Sequence, residues 1–346
     1  MLLYIHIPFC DSKCGYCAFF SQVNKEEFIE PYFQALLKDL QHNIIHFKVQ
    51  NITSVFVGGG TPNFVDSKYY IPIFKFLEPF LIGDCEITFE ANPNLLRESW
   101  LLNVKQLGLN RLSFGVQSFY DDKLQMLERT HRKYDIFKSF DIASRHINNI
   151  SLDLIYDCKL DTKERMMYEL ESALKLPINH LSAYSLSIDS NSRFGDNNAY
   201  NLQAKESFGI FVRDFLHSRN FKQYEVSNFT YTNKCRHNLG YWSGAEYLGI
   251  GASSVGRIGY IRYMAISNIE QYIAKPLERK KEILSQKDLD FENVFMGLRS
   301  EVGVKKNLLK QDKLHHAIAN NLCVEQNGYI YANDFFLADS LALYLT

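Results

Sequence analysis

Short runs of β-branched and aromatic residues recur between longer stretches of helical period, the alternation that βαβ units with a parallel sheet leave in a sequence. Six such runs predict strands over Leu3–Ile7, Ser54–Val57, Glu86–Glu90, Arg111–Gly115, Ser151–Ile155 and His180–Leu186. Between them, apolar residues return at helical spacing over Lys25–Phe47, Lys68–Phe80, Leu95–Leu107, Asp121–Glu128, Tyr134–Ile147 and Thr162–Leu174. Each of these stretches has one apolar side to lay on a sheet. Six βα units predict an α/β fold built as a partial (β/α)6 barrel. A further helix over Asn201–His217 and a strand over Tyr224–Asn228 complete this unit.

The pattern then changes. A Gly- and Tyr-rich stretch, Leu239–Tyr263, leads into two or three helices and a hairpin-like "GYIYAND" segment. The chain therefore reads as a barrel domain over residues 1–230 followed by a mostly helical domain over residues 231–346, either a small helical unit or one resembling a winged helix. It shows no internal repeat and no low-complexity tract.

In parallel α/β barrels the chemistry gathers at the carboxyl ends of the strands, so polar residues there carry most of the functional signal. The loop "FCDSKCGYCAFF", Phe9–Phe20, follows the first strand and holds three cysteines at the spacing C-x3-C-x2-C. "GGGTP" at Gly58–Pro62 follows the second, Glu90 ends the third, and Gln117 follows the fourth. Asp153 stands inside the apolar "SLDLIY" of the fifth, where a carboxylate is costly unless it is paired or bound. It reads equally well as a buried structural hydrogen-bond partner. The triple glycine lets a ligand approach the backbone and offers free N–H groups, with Thr61 and Pro62 fixing the exit of the turn. A plain tight turn is the simpler reading. The segment matches neither G-x-x-x-x-G-K-[ST] nor G-x-G-x-x-G.

Three clustered thiols leave a metal site one ligand short. Zinc would take a fourth sulfur or a histidine, and His6 stands on the preceding strand. The other reading is a [4Fe–4S] cluster with three irons on cysteine and one open, able to take a small ligand by its amine and carboxylate. Composition fits either, since 46% hydrophobic and 22% charged residues describe a globular protein with a sizeable core. With 38 basic against 39 acidic residues, the net charge of −1 gives no global field to draw nucleic acid or an anionic membrane. The opening "MLLYIHIPFC" lacks a basic n-region and is expected to be mature protein, and no apolar run reaches the roughly 18 residues of a membrane span. The expected compartment is the cytoplasm, where reduced thiols bind metal more often than they pair. Seven cysteines with only three clustered also speak against a disulfide scaffold.

Taken in order, "YIHIPFCDSKCGYCAFF", "VFVGGGTPN", "EANP", "RLSFGVQSF" and "SLDLIY" resemble the radical S-adenosylmethionine superfamily, most closely over residues 1–190. Within it they look like the group of oxygen-independent coproporphyrinogen oxidase and the HemW-like heme chaperones. The resemblance implies a [4Fe–4S] cluster on Cys10, Cys14 and Cys17, with S-adenosylmethionine on the open iron and Tyr4 beside it. It implies that Gly59, Gly60, Thr61 and Glu90 hold the amine and backbone-facing parts of that cofactor. Gln117, Arg129 and Asp153 match residues that serve a second cofactor molecule in the oxidase.

Phe19 stands where the oxidase carries a further cysteine, and "CRHNLGYW", Cys235–Trp242, matches the H-N-x-x-Y-W segment associated with heme in the chaperone branch. Heme thereby joins the implied ligands, with His237 as candidate axial ligand. Without the resemblance, His237 reads as a loop histidine bonded to backbone. Two segments depart from the family: "DCKLD" at Asp157–Asp161 replaces "GLPGQ", and "GIGASSVG" lacks a histidine common there. The implied function is a heme chaperone that binds heme, the cluster and S-adenosylmethionine and passes heme to an acceptor protein. The alternatives are oxidative decarboxylation of coproporphyrinogen III, which Phe19 speaks against, and a zinc or thiol protein on an α/β barrel.

Overall fold

The computed structural model describes residues 1–346. Six strands, β1 (Leu2–Ile7), β2 (Ile52–Gly59), β3 (Leu81–Ala91), β4 (Arg111–Gln117), β5 (Ile150–Tyr156) and β6 (His180–Ser185), lie side by side in chain order, all parallel. Each coincides with a run read from the sequence. The sheet does not close. Side chains alternate across it, as strand geometry requires. Leu3, Ile5 and Ile7 of β1, Ile87 and Phe89 of β3, and Leu112, Phe114 and Val116 of β4 enter the main hydrophobic core. The helices Ile29–His46, Tyr70–Leu77, Glu98–Gln106, Lys133–Ser144 and Lys163–Leu174 contribute the other side of that core. The residues between, Tyr4 and His6, Glu86 and Glu90, Arg111 and Ser113, and Asp153, stay outside that core on the other face of the sheet. That polar inner face holds the functional side chains.

The helix expected over Asn201–His217 is shorter. A single turn, Ala199–Leu202, is followed by a helix only over Gly209–Ser218. Asp157 accounts for the delay: its carboxylate accepts from Phe208 N at 2.6 Å and from Ser207 and Ser185 hydroxyls, each at 2.7 Å, fixing the chain before the helix. The rest of "DCKLD" is also structural. Asp161 accepts from Cys158 N at 2.9 Å and pairs at 2.7 Å with Lys123, which is fully buried and lies 3.6 Å from Glu169. The strand expected over Tyr224–Asn228 resolves into β7 (Lys222–Gln223) and β8 (Asn228–Thr230), with β8 antiparallel to β6.

The Gly- and Tyr-rich stretch forms strands. β9 (Tyr247–Ile250) pairs parallel with β1, and β10 (Val255–Ile258), β11 (Ile261–Ala265) and β12 (Arg279–Ile283) extend the sheet outward. The joint is buried and hydrogen-bonded. Tyr32 donates its hydroxyl to His6 O at 2.8 Å and accepts from Ala252 N at 3.0 Å. Gly251 at φ +105° lets this approach happen, since a Cβ there would meet the Tyr32 hydroxyl at 2.6 Å. Asp39 accepts from Gly251 N at 3.1 Å and Tyr272 hydroxyl at 2.6 Å, and pairs with Arg279. The expected division at 230/231 therefore falls inside one sheet, because pairing with β1 is non-local and leaves no mark in the local pattern. A separate small core begins at Val294 and runs to Leu345, around the antiparallel strands β13 (Val304–Lys305), β14 (Cys323–Gln326) and β15 (Tyr329–Ala332).

Candidate functional site

The cysteine loop leaves β1 and is closed at its base, where Gln22 N donates to Pro8 O at 2.7 Å and Cys10 N to Gln22 O at 3.0 Å. Cys10 and Cys14 are buried and Cys17 half-buried. Cys10 Sγ accepts from Thr61 Oγ1 at 3.3 Å, and Cys14 Sγ from Arg129 Nη1 at 3.6 Å. Burial pushes the Cys10 thiol up to about 11 and raises Cys17, so both keep their protons until a metal displaces them. No three His, Cys, Asp or Glu side chains converge as ligands of one metal ion. His6, the fourth ligand of the zinc reading, has both ring nitrogens engaged, Nδ1 with the Tyr4 hydroxyl at 3.0 Å and Nε2 with Phe20 O at 2.8 Å. Zinc on His6 would have to break one of these bonds and leave the Tyr4 hydroxyl or the Phe20 carbonyl without its partner. Three sulfurs with polar donors from Thr61 and Arg129 fit a cluster whose anionic thiolates need such partners.

The glycine turn sits directly against this loop, but it does not offer free N–H groups as the sequence suggested. Gly60 N donates to Ile7 O and Thr61 N to Phe9 O, both at 2.8 Å, and Gly59 N to Glu90 Oε2 at 2.9 Å. The turn docks on β1. Its glycine content is a matter of space, since a Cβ on Gly60 would lie 2.6 Å from Ile7 O, 2.8 Å from Phe9 O and 3.1 Å from Cys10 Sγ. Glu90 ends β3 with its carboxyl pushed up to about 7 by burial, against the pull of the Gly59 N–H and with Asp153 adding to the rise.

Arg129 belongs with the cysteine loop. Besides Cys14 it donates to Asn92 Oδ1 at 2.7 Å and Gly115 O at 2.8 Å, and the Gln117 side chain lies beside the same point. Gln117 itself takes a left-handed conformation, φ +66°. Asn92 is the member that residue-by-residue reading missed, although "EANP" contained it: its backbone N–H and C=O bond to Asn63, and its side chain reaches Thr61 and Asp11. Asp153 is half-buried at the centre of β5, its carboxyl raised to about 6 by burial against the Ser182 hydroxyl and the positive Arg111 and Arg129.

A cavity of about 1230 Å³ opens beside this cluster of residues, larger than the usual 300–1,000 Å³ of ligand pockets. Tyr4, Gly59 and Glu90 line one part, and Phe19, 66% exposed, stands at its wall. Tyr241, Trp242 and the helix Gln286–Leu298 line another. His237 reaches the same cavity yet is 1% exposed, and it is not a loop residue. It lies on the helix Arg236–Trp242, whose first turn is held by Glu86 through Arg236 N at 3.1 Å and His237 N at 3.0 Å. Its ring bonds side chains, not backbone: Nδ1 meets Ser54 Oγ at 2.7 Å and Nε2 the Tyr241 hydroxyl at 3.0 Å. Burial, then the nearby Arg111 charge, pushes it down to about 3, so the imidazole is neutral.

An open parallel βα sheet with three thiols on the loop after β1 and a large cavity at its strand ends defines a cofactor-binding partial barrel. The sequence pattern of the Radical SAM superfamily matches residues 4–168. Heme chaperone HemW of Buchnera aphidicola subsp. Schizaphis graminum is 34% identical over 307 residues, 85% of this chain and 82% of that protein. Heme chaperone HemW of Bacillus subtilis is 32% identical over 326 residues, 88% and 84% of the two chains. Coproporphyrinogen III oxidase (HemN) from Escherichia coli, a radical SAM enzyme, shares the fold with a TM-score of 0.83 at 19% identity, over 99% of this chain and 89% of that one. The chain belongs to the radical SAM superfamily and, within it, to the HemW family. Membership brings a [4Fe–4S] cluster and S-adenosylmethionine as cofactors. No helix is long and apolar enough to cross a membrane.

Proposed function

We propose that this protein is a heme chaperone that holds heme in the cavity beside its cluster site and passes it to an acceptor protein in the cytoplasm. The observation that carries the reading is the cavity itself, which joins the cofactor-side residues Tyr4 and Glu90 to the aromatic Tyr241 and Trp242. A flat, mostly apolar macrocycle is the kind of ligand such walls bury well. The curated relatives named above carry the same function in their names. Cys10, Cys14 and Cys17 would hold the cluster, which when bound supplies an open iron that chelates the amine and carboxylate of S-adenosylmethionine. Tyr4, Gly59, Gly60, Thr61 and Glu90 would frame that cofactor, and Gln117, Arg129 and Asp153 would complete the polar shell. Residues 1–230 would thus serve the cluster and residues 231–346 would supply most of the heme side.

His237 would ligate heme iron through Nε2. That requires the Tyr241 hydroxyl to leave its 3.0 Å contact, while Ser54 on Nδ1 keeps the ring oriented. A neutral buried imidazole suits iron. Anaerobic reconstitution followed by parallel titrations with heme and S-adenosylmethionine tests the proposal, with product analysis of coproporphyrinogen III under reducing conditions. Heme binding without decarboxylation supports it. Robust decarboxylation, or no heme binding, would overturn it.

A further inference from the structure

Three arginines line the cavity, and two of them are neutralised. Arg262 pairs with Glu282 at 2.8 Å and with Glu292, and Arg299 pairs with Asp339 at 2.9 Å. Arg257, half-buried on β10, has no carboxylate partner. Its guanidinium is held by main-chain carbonyls alone, those of Gly244, of Ala245 at 3.1 Å and of Gly259 at 3.3 Å. Carbonyl dipoles fix the orientation of the fork without cancelling its charge. A guanidinium has five N–H donors, so these contacts leave donors over for a further acceptor.

The rest of the cavity decides what that acceptor is. Glu90 lines the wall on β3, four strand-to-strand steps from β10, or about 19 Å along the sheet at the usual strand spacing. Glu225 lines it as well, 1% exposed, its Oε1 without a partner. An anionic group is unwelcome beside either carboxyl and favoured at the unpaired cation. Tyr4, Phe56, Tyr241 and Tyr247 supply aromatic surface in between.

Resting on the heme reading above, we propose that Arg257 is the anion anchor of the cavity: it takes a propionate carboxylate of the porphyrin and so sets which edge of the macrocycle faces β10. Arginine suits the task because its guanidinium stays charged, and the N–H groups left on Nε and Nη1 can each make a charge-assisted contact with a carboxylate oxygen. Contacts of Arg257 with Gly244 and Ala245, just past the His237 helix, would then link propionate binding to the position of that helix.

The test is an absorption titration of the full-length protein with hemin and with hemin dimethyl ester, whose esterified propionates carry no charge. The wild-type chain should bind hemin about tenfold more tightly than the ester, the size expected of one charge-assisted contact. Arg257→Gln should lose about that factor for hemin and keep its affinity for the ester, and Arg257→Lys should restore part of the preference. Equal affinity of the wild type for hemin and ester would overturn the anchor, a comparison that needs no variant to fold. Equal weakening of both ligands by Arg257→Gln would also overturn it, by assigning the residue a purely structural role. Binding of neither porphyrin would overturn the heme reading and this inference with it.

Discussion

Gly59 and Glu90 face each other across the ends of β2 and β3, the Gly59 N–H donating to Glu90 Oε2 over 2.9 Å. The contact favours the ionised carboxyl, yet burial outweighs it and holds the group near 7. Around neutral pH, Glu90 is therefore divided between a neutral acid and a carboxylate. Only the carboxylate attracts the ammonium group of S-adenosylmethionine. Affinity for S-adenosylmethionine should accordingly rise as pH increases from 6 to 8, and Glu90→Gln should flatten the rise and weaken binding at pH 8 by about 1–3 kcal/mol. Calorimetry on the reconstituted protein across this range checks both. A pH-independent wild type would count against Glu90 as the amine's partner.

The same shift sets an opposite trend in the apo protein. A carboxyl raised from 4.5 to about 7 on folding keeps its proton in the native state where the unfolded chain has lost it. The stability that this carboxyl contributes must then fall as pH rises through that window. Asp153, raised to about 6, contributes to the same slope. His6, pushed down to about 4, and His131 and His237, pushed down to about 3, act in the opposite sense, so the carboxyl's part is read as a difference: in urea unfolding, Glu90→Gln should gain stability relative to the wild type between pH 5 and pH 7.5. An unchanged difference would place the titration elsewhere.

Gly60 supplies a test of the cluster site that leaves every cysteine in place. A methyl group there would press on Ile7 O, Phe9 O and Cys10 Sγ, and both backbone oxygens belong to strand or loop base with little room to yield. Gly60→Ala should reconstitute with less than the full iron and sulfide content, whereas serine at Cys10, Cys14 or Cys17 should abolish the cluster. Iron and sulfide assays with electron paramagnetic resonance read the outcome. A full cluster in all three serine variants would remove the assignment.

The first six strands were legible because each is a short apolar run with turn signals behind it, and the polar residues at their ends stood out against that background. Cys10, Gly60, Glu90 and Gln117 were found in this way. What the sequence hid was pairing at a distance. Nothing local tells that the N–H groups of Gly60 and Thr61 bond Ile7 of β1 and Phe9 beyond it, or that Tyr247–Ile250 pairs with β1 through a joint built on Tyr32 and Asp39. Asn92 was hidden for the same reason, since its role consists of bonds to Thr61 and Asn63 in one segment and to Arg129 in another. Arg257 carries no motif at all; only the absence of a carboxylate partner in the folded cavity marks it.

Lys123 shows what the "DCKLD" segment does. It is fully buried, paired with Asp161 at 2.7 Å and near Glu169 at 3.6 Å, and Glu169 in turn accepts from Ser118. Replacing Lys123 with Met would leave two carboxyls in the same dry space without their cation. The expected cost is about 3–5 kcal/mol, the range for breaking a buried ion pair by removing one partner. Denaturant unfolding of the apo protein measures it. A loss under 1 kcal/mol would show that water reaches the site and that the segment does not hold the fold as argued.

Tyr241 separates a histidine that ligates heme from one that only supports the fold. In the apo protein its hydroxyl occupies His237 Nε2, while Ser54 engages Nδ1. If Nε2 is the iron ligand, each heme bound must first break the Tyr241 contact, so Tyr241→Phe should remove that cost and tighten heme binding. A neutral hydrogen bond contributes about 0.5–1.5 kcal/mol, which corresponds to a gain of roughly two- to tenfold in affinity. His237→Ala should do the reverse, weakening heme and altering its absorption spectrum while cluster content stays intact. The tyrosine ring packs on His237 with centroids 4.8 Å apart and on Tyr247 at 4.7 Å, and phenylalanine preserves both contacts. A tighter Tyr241→Phe with a weaker His237→Ala is the signature of ligation through Nε2. A heme spectrum and affinity unmoved by either substitution would place the iron ligand on another residue of the cavity.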